Sequence, residues 1–188
     1  SPAVFDMREG TTPMGAVAKF AATGKRTPKK ELGLMAMTYR TAYVAQTAYG
    51  ANPSQALKAI QEAADYPGPS LVIAYAPCIE HGYPLHLGPE HMKLAVNCGL
   101  WPLFRFDPRR MDSGENPLQL DSKKPSADMA ELIRQERRFR SLSIDHPDEA
   151  DAVFESARRS VVRNYRYFMK LAAMPFEEFD LNRRDSDA

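Results

Sequence analysis

Apolar and polar positions follow several distinct rhythms along this chain, and each rhythm predicts an element. Leu71 to Ala76 (LVIAYA) is an unbroken apolar run between the turn residues YPGP and Pro77, the pattern of a strand buried on both faces. Tyr43 to Ala48 (YVAQTA) reads as a second strand. Between the two, Asn52 precedes Pro53 in the order of an N-cap and a first helical residue, and Gln55 stands where a capping box closes. Ala56, Leu57, Ile60, Ala63 and Ala64 then recur at helical spacing. Strand, helix and strand in succession predict a right-handed crossover, which joins parallel strands.

The flanks extend this α/β pattern. Gly15 to Gly24 (GAVAKFAATG) predicts a short helix with Val17, Phe20 and Ala21 on one face and a glycine stop. The following ELGLMAM keeps no clean helical period. A helix is predicted from Pro89 to about Asn97, and WPLFRF reads as a strand rich in aromatic residues. From Asp107 to Ser126, Pro108, Pro117 and Pro125 stand among polar residues, which predicts a long surface connection. Two helices close the chain. In the second, Ala150, Val153, Phe154, Ala157, Val161, Tyr165, Phe168 and Ala172 recur at intervals of three and four, so one face is apolar for roughly seven turns.

Composition narrows the class. With 188 residues, 44% of them apolar, and a formal net charge of +1, the chain can bury a core of one domain with an appendage. A balance this near neutrality gives no argument for a nucleic-acid or anionic-membrane partner. Arg158, Arg159, Arg163, Arg166 and Lys170 cluster late in the last helix, after Asp148, Glu149 and Asp151 at its start. That is the order the helix dipole favours, so the cluster reads as a solvated helix end. Two cysteines predict free thiols in a reducing compartment. No apolar run approaches the length of about 18 residues that a spanning helix needs, and the start SPAVFDMREG has no targeting pattern. A soluble protein is expected, in the cytoplasm or in an organelle matrix or stroma.

Chemistry concentrates after the apolar run, in PCIEHGYP. Sites of open α/β sheets form beyond the carboxyl ends of strands, where Cys78 and His81 lie. Three readings stand side by side. Cys78 is a small packing residue and His81 a loop residue; or Cys78, His81, His86 and His91 hold zinc; or Cys78 is a nucleophile with His81 as its base. The zinc spacing matches no common ligand pattern, and no orienting third group for a nucleophile can be assigned.

Five stretches carry a resemblance: TPMGAVAKFAATGKRTPKKELG, MAMTYRTAYVAQTAYGAN, YPGPSLVIAYAPCIEHG, AVNCGLWPLFRFDP and NPLQLDSKKP. Together, from about Thr11 to Met174, they resemble the C-terminal half of the thiamine-diphosphate-binding domain of pyruvate:ferredoxin (flavodoxin) oxidoreductases and of the related pyruvate:NADP enzymes. The resemblance implies half of a thiamine-diphosphate-binding fold, with a partial parallel sheet flanked by helices and a long C-terminal helix. It also implies that Cys78 is one thiolate ligand of a [4Fe-4S] cluster, whose other three come from elsewhere in the family's polypeptide. Cys98 reads as a core residue. The family's Gly-Asp-Gly motif and its magnesium-binding asparagine stretch are not in this sequence, where Asp6 and Glu9 stand instead without the glycines. Where the family has Gly-Asn, this chain has Arg40-Thr41, which reads as a cofactor side that has been refilled.

Four regions are expected: a divergent start (1–14), a truncated α/β domain (15–125), C-terminal helices (126–174) and an extension (175–188). In the extension Phe176, Phe179 and Leu181, set among charges, read as contacts to a partner protein. The favoured expectation is a non-catalytic accessory subunit of a larger assembly, holding no catalytic residue and no cofactor by itself. The alternative is a fragment of a working pyruvate oxidoreductase, with thiamine diphosphate, Mg²⁺ and the cluster bound only once another chain completes it. Neither expectation includes nucleic acid or a membrane span.

Overall fold

The computed structural model describes residues 13–17 and 25–176, centred on a four-stranded sheet in the order β2-β1-β3-β4. Strands β1 (Tyr43–Thr47) and β2 (Ser70–Ala74) are parallel, with Val44 opposite Leu71 and Thr47 opposite Ala74. Helix α2 (Pro53–Asp65) connects them as the pattern predicts. On the other side of β1 lies antiparallel β3 (Phe104–Phe106), and β4 (Leu118–Leu120) pairs antiparallel with β3. The chain is therefore α/β with a partly parallel sheet flanked by helices, the parallel pairing being confined to β1 and β2.

The two faces of β1 explain which helix sits where. Tyr43 and Ala45 point to one face and pack on Ala59 of α2; alanine at Ala56 and Ala59, both buried, lets the helix approach closely. Asn52 caps α2 by accepting from the Gln55 amide at 3.1 Å. The Gln55 side chain does not close the expected capping box. It turns inward and donates to the Gln46 carbonyl (3.3 Å) and to Asp121 (3.0 Å). On the opposite face Val44, Phe104, Phe106, Leu118, Met37 and Phe168 form a second core.

Met37 belongs to α1 (Leu32–Met37), a helix in the stretch where the sequence shows no clean period. Gly33 breaks that period because it faces the sheet: a Cβ there would come within 2.6 Å of Phe104 Cζ. Of the helix predicted from Gly15 to Gly24, residues 18–24 lie outside the described set. Gly15 to Val17 are not helical, since Val17 N donates to Arg138 O at 2.7 Å, tying this strip to a distant element.

Three further expectations need correction. The strand expected to be buried on both faces, β2, is half-buried at its centre and exposed at both ends, because it is an edge of the described sheet. The supposed connection over Asp107–Ser126 contains β4, whose leucines complete the second core. Finally, the two closing helices are three: α4 (Met129–Gln135), α5 (Arg137–Asp145) and α6 (Pro147–Ala172), after α3 (Gly88–Asn97) earlier in the chain. The break between α4 and α5 is Glu136, which is extended at φ −91° and ψ 126° and turns its carboxylate into the protein. Helix α6 buries Ala150, Ala157, Tyr165 and Phe168 as its spacing predicts, and Phe168 stacks on Phe104 at 4.9 Å.

Candidate functional site

Parallel strands deliver their carboxyl ends to one edge of the molecule, and the loop leaving β2 carries Cys78 there. Tyr75 N donates to the Thr47 carbonyl at 2.9 Å, which keeps the chain beside β1 for one residue beyond the strand. Cys78 then turns the chain: its carbonyl accepts from His81 N at 3.0 Å and starts a 3₁₀ turn over Ile79–His81. Gly82 ends that turn at φ 75°. A Cβ at Gly82 would fall 2.2 Å from the Arg137 Cβ, so glycine is required both by the left-handed backbone and by close approach to α5.

A buried ionic group lies beneath this turn. His91 of α3 and Glu136 are both almost fully buried, and His91 Nε2 lies 2.6 Å from Glu136 Oε1. The other ring nitrogen, Nδ1, lies 3.3 Å from Gln135 Oε1, and the second oxygen of Glu136 accepts from Arg138. Burial alone would raise the Glu136 pKa; the His91 hydrogen bond and the Arg138 charge outweigh it, so the net shift is downward. Tyr83, directly after the turn, stacks on His91 with ring centroids 3.9 Å apart. The Cys78 turn therefore rests on two anchors, Gly82 against Arg137 and Tyr83 against the His91–Glu136 pair.

Cys78 is half-buried and Cys98 buried, both as free thiols. Cys98 lies in the core, its thiol donating to the Ala95 carbonyl at 3.5 Å, and burial pushes its pKa up to about 11. The four supposed zinc ligands are not brought together: His91 is taken by Glu136 and Gln135, and no group of three or more His, Cys, Asp or Glu side chains placed to hold a metal occurs among the described residues. His81 is held neutral, burial first and the Arg138 charge second depressing its pKa to about 4. Its Nδ1 has no partner, and neither do the hydroxyls of Tyr75 and Tyr83. Three buried polar atoms without partners thus gather around one loop, where a folded protein ordinarily has few in total.

Sequence reasoning missed Glu136, Arg138 and Tyr83. A signal existed for the first. Glu136 occupies an apolar register with Leu132, Ile133 and Phe139, all buried, and an acid there needs an internal partner. Of the extension, Phe176 is exposed, and Phe179 and Leu181 lie outside the described residues, as do Asp6 and Glu9. Arg40 is exposed, so it does not refill a cavity; it adopts φ 58°, the conformation in which a glycine would be unstrained.

The α/β segment that presents Cys78 has relatives among known proteins. The chain is homologous to one segment of the pyruvate:flavodoxin and pyruvate:ferredoxin oxidoreductases. It is 47% identical over 161 residues to the probable pyruvate-flavodoxin oxidoreductase of Escherichia coli K12, covering 86% of this chain and 14% of that protein. Identity is 46%, with the same coverage, to the pyruvate:ferredoxin oxidoreductase of Moorella thermoacetica. It is 41% over 169 residues to the mitochondrial pyruvate dehydrogenase [NADP(+)] of Euglena gracilis, of which this chain spans 9%. No protein-family model matches the chain.

Proposed function

We propose that this chain is the thiol-presenting part of a pyruvate:ferredoxin, flavodoxin or NADP oxidoreductase, completed by other polypeptide. In that role Cys78 supplies one thiolate to a [4Fe-4S] cluster, which when bound carries electrons away from pyruvate oxidation. The residues fit one corner of such a cluster and no more. Cys78 is partly exposed at a loop tip, while the second cysteine of these 188 residues is locked in the core. Thiamine diphosphate, Mg²⁺ and the remaining thiolates would come from elsewhere in the assembly, where pyruvate and coenzyme A would be converted by oxidative decarboxylation to acetyl-CoA and CO₂, the two electrons passing to the cluster chain. The family domain concerned would be the thiamine-diphosphate-binding one, as the five matching stretches imply.

One observation carries this reading: the Cys78 turn rests on a fully buried carboxylate paired with a histidine and an arginine. Burying such a group is costly, and its removal leaves the partners uncompensated. The group fixes the loop that presents Cys78 in one conformation, which is what a ligand held at a set position requires.

The competing reading, a non-catalytic accessory subunit, has its own observation in Arg40, where a non-glycine residue stands in the left-handed region. Both readings place the chain beside other protein subunits, with no nucleic acid. Among the described residues no helix is long and apolar enough to cross a membrane. Anaerobic purification with all associated chains separates them. A working oxidoreductase gives brown protein with acid-labile sulfide and coenzyme-A-dependent pyruvate oxidation, and Cys78→Ser removes one cluster's iron and most of the activity. Colourless, inactive material bound to unrelated subunits sinks the first reading.

A further inference from the structure

A cavity opens beside the strand ends, on the Trp101 side of the Cys78 loop, with a volume of about 240 Å³. Its walls include Lys29, Tyr75, His81, Trp101 and Arg138, and it has no carboxylate among its lining residues. Trp101 and Tyr75 meet edge to face at 5.2 Å, and Lys29 Nζ stands 4.4 Å from the Trp101 ring centre. The indole is fixed by its own N–H, which donates to the Thr47 carbonyl at 3.0 Å. These contacts make a rigid aromatic corner with two cations on its rim.

The chemistry of the wall selects the ligand. Two positive side chains repel a metal ion. The charged N–H donors of its lining, on Lys29 and Arg138, share the cavity with no carboxylate. A small oxyanion supplies acceptors and negative charge together. A cavity of this volume takes several atoms of the size of water, whose share of liquid is about 30 Å³. We infer that this cavity binds a small oxyanion, a carboxylate or a phosphate, between Lys29 and Arg138 and against the faces of Trp101 and His81. The site does not include Cys78 and has its own readout, although His81 of the Cys78 turn forms part of its wall.

Lys29 supports the assignment. Burial lowers its pKa from the ordinary lysine range, and the nearby Glu31 only partly offsets this. An anion in the cavity restores the balance for the ammonium. Arg138 already serves Glu136 through Nε, and a guanidinium carries further donors for a second acceptor.

Trp101 is the single tryptophan of these 188 residues, so in this chain its fluorescence reports on the cavity wall. The protein is titrated with inorganic phosphate and, separately, with acetate, chloride being exchanged to hold ionic strength constant. A saturable change with phosphate only assigns a phosphate-type ligand, with acetate only a carboxylate, and with both a general oxyanion site. Loss of one charged hydrogen-bond donor makes Lys29→Gln weaken the apparent affinity about tenfold, while Lys29→Arg retains it. Thermal unfolding of Lys29→Gln confirms that the variant is folded. A response to both anions that is linear and equal to that of chloride overturns the site, as does saturation unchanged in Lys29→Gln. Cluster content is unaffected in every one of these outcomes, so a failure here leaves the Cys78 reading standing and the reverse also holds.

Discussion

At the scale of single residues, two positions hold conformations or charge states that their side chains resist. Arg40 has φ 58° with an exposed side chain. The left-handed region costs an L-residue about 1–2 kcal/mol, and glycine escapes that strain but loses about 0.5–1 kcal/mol through its freer unfolded chain. Arg40→Gly is therefore expected to stabilise by about 0.5–1 kcal/mol, and Arg40→Val, whose branched Cβ fits worst, to destabilise by about 1 kcal/mol. Urea midpoints of the three proteins measure this, and a lower midpoint for the glycine variant refutes it. His81 gives a dependence on pH. Its pKa falls from 6.5 to about 4 on folding, so between those values the unfolded chain takes up a proton that the folded chain refuses. Stability must then decline as pH falls from 6.5 towards 4 and lose nothing further through this group below that. Glu136 has a depressed pKa, so its contribution is intact above the ordinary glutamate range and is lost only as pH falls through its lowered value. Replacing His81 with Asn should flatten the decline between pH 6.5 and 4. An unchanged slope would assign it to other groups.

At the scale of elements, α6 closes the second core through one aromatic stack. Phe168 is fully buried and lies 4.9 Å from Phe104 with the rings 21° apart, and the end of the helix is held by Asn116, which donates to the Leu171 carbonyl at 2.7 Å. Phe168→Ala should destabilise by about 3–5 kcal/mol, read by denaturant unfolding, whereas the exposed Tyr167→Ala on the same turn should stay within about 0.5 kcal/mol. The same element shows which signals the sequence carried. Helices α6 and α2 were legible because their period of 3.6 matches a buried face that continues for the whole element. Strands β1 and β3 were read from short apolar and aromatic runs, and they are buried throughout. Strand β4 was not legible, since three residues between prolines give no period, and its pairing depends on β3 from afar. Helix α1 was hidden by Gly33, which is there for contact with Phe104 and not for helix formation. The edge position of β2 is likewise a tertiary fact: an apolar run states that a strand can be covered, and not which neighbour covers it. At the site, Cys78 was legible from its place after a strand, but its support was not. The pairing of His91 with Glu136 spans 45 residues, and only the misplaced acid in the apolar register of α4 and α5 announced it.

For the whole molecule, the two thiols separate what the fold buries from what it offers. Cys98 sits among Ala95, Met129, Leu132 and Phe139 in the core under α3, α4 and α6, with its pKa pushed up to about 11, and thiolate is the reactive form. Cys78 stands half-buried at the loop tip, raised on the Gly82 and Tyr83 anchors. In the isolated folded chain, iodoacetamide should therefore modify Cys78 and leave Cys98 intact, the second cysteine reacting only in denaturant, as mass spectrometry of the two peptides would show. In the complete assembly the proposed role adds a further requirement. A Cys78 sulfur bonded to iron has its negative charge drawn onto the metal and is shielded by the cluster, so it should resist modification until the cluster is destroyed by oxidation or chelation, and then react. Because Cys98 remains protected by packing in both states, it serves as the internal control for folding. Rapid modification of Cys78 in active, iron-loaded protein would leave the sulfur free of the metal, and the loop would then owe its shape to packing alone.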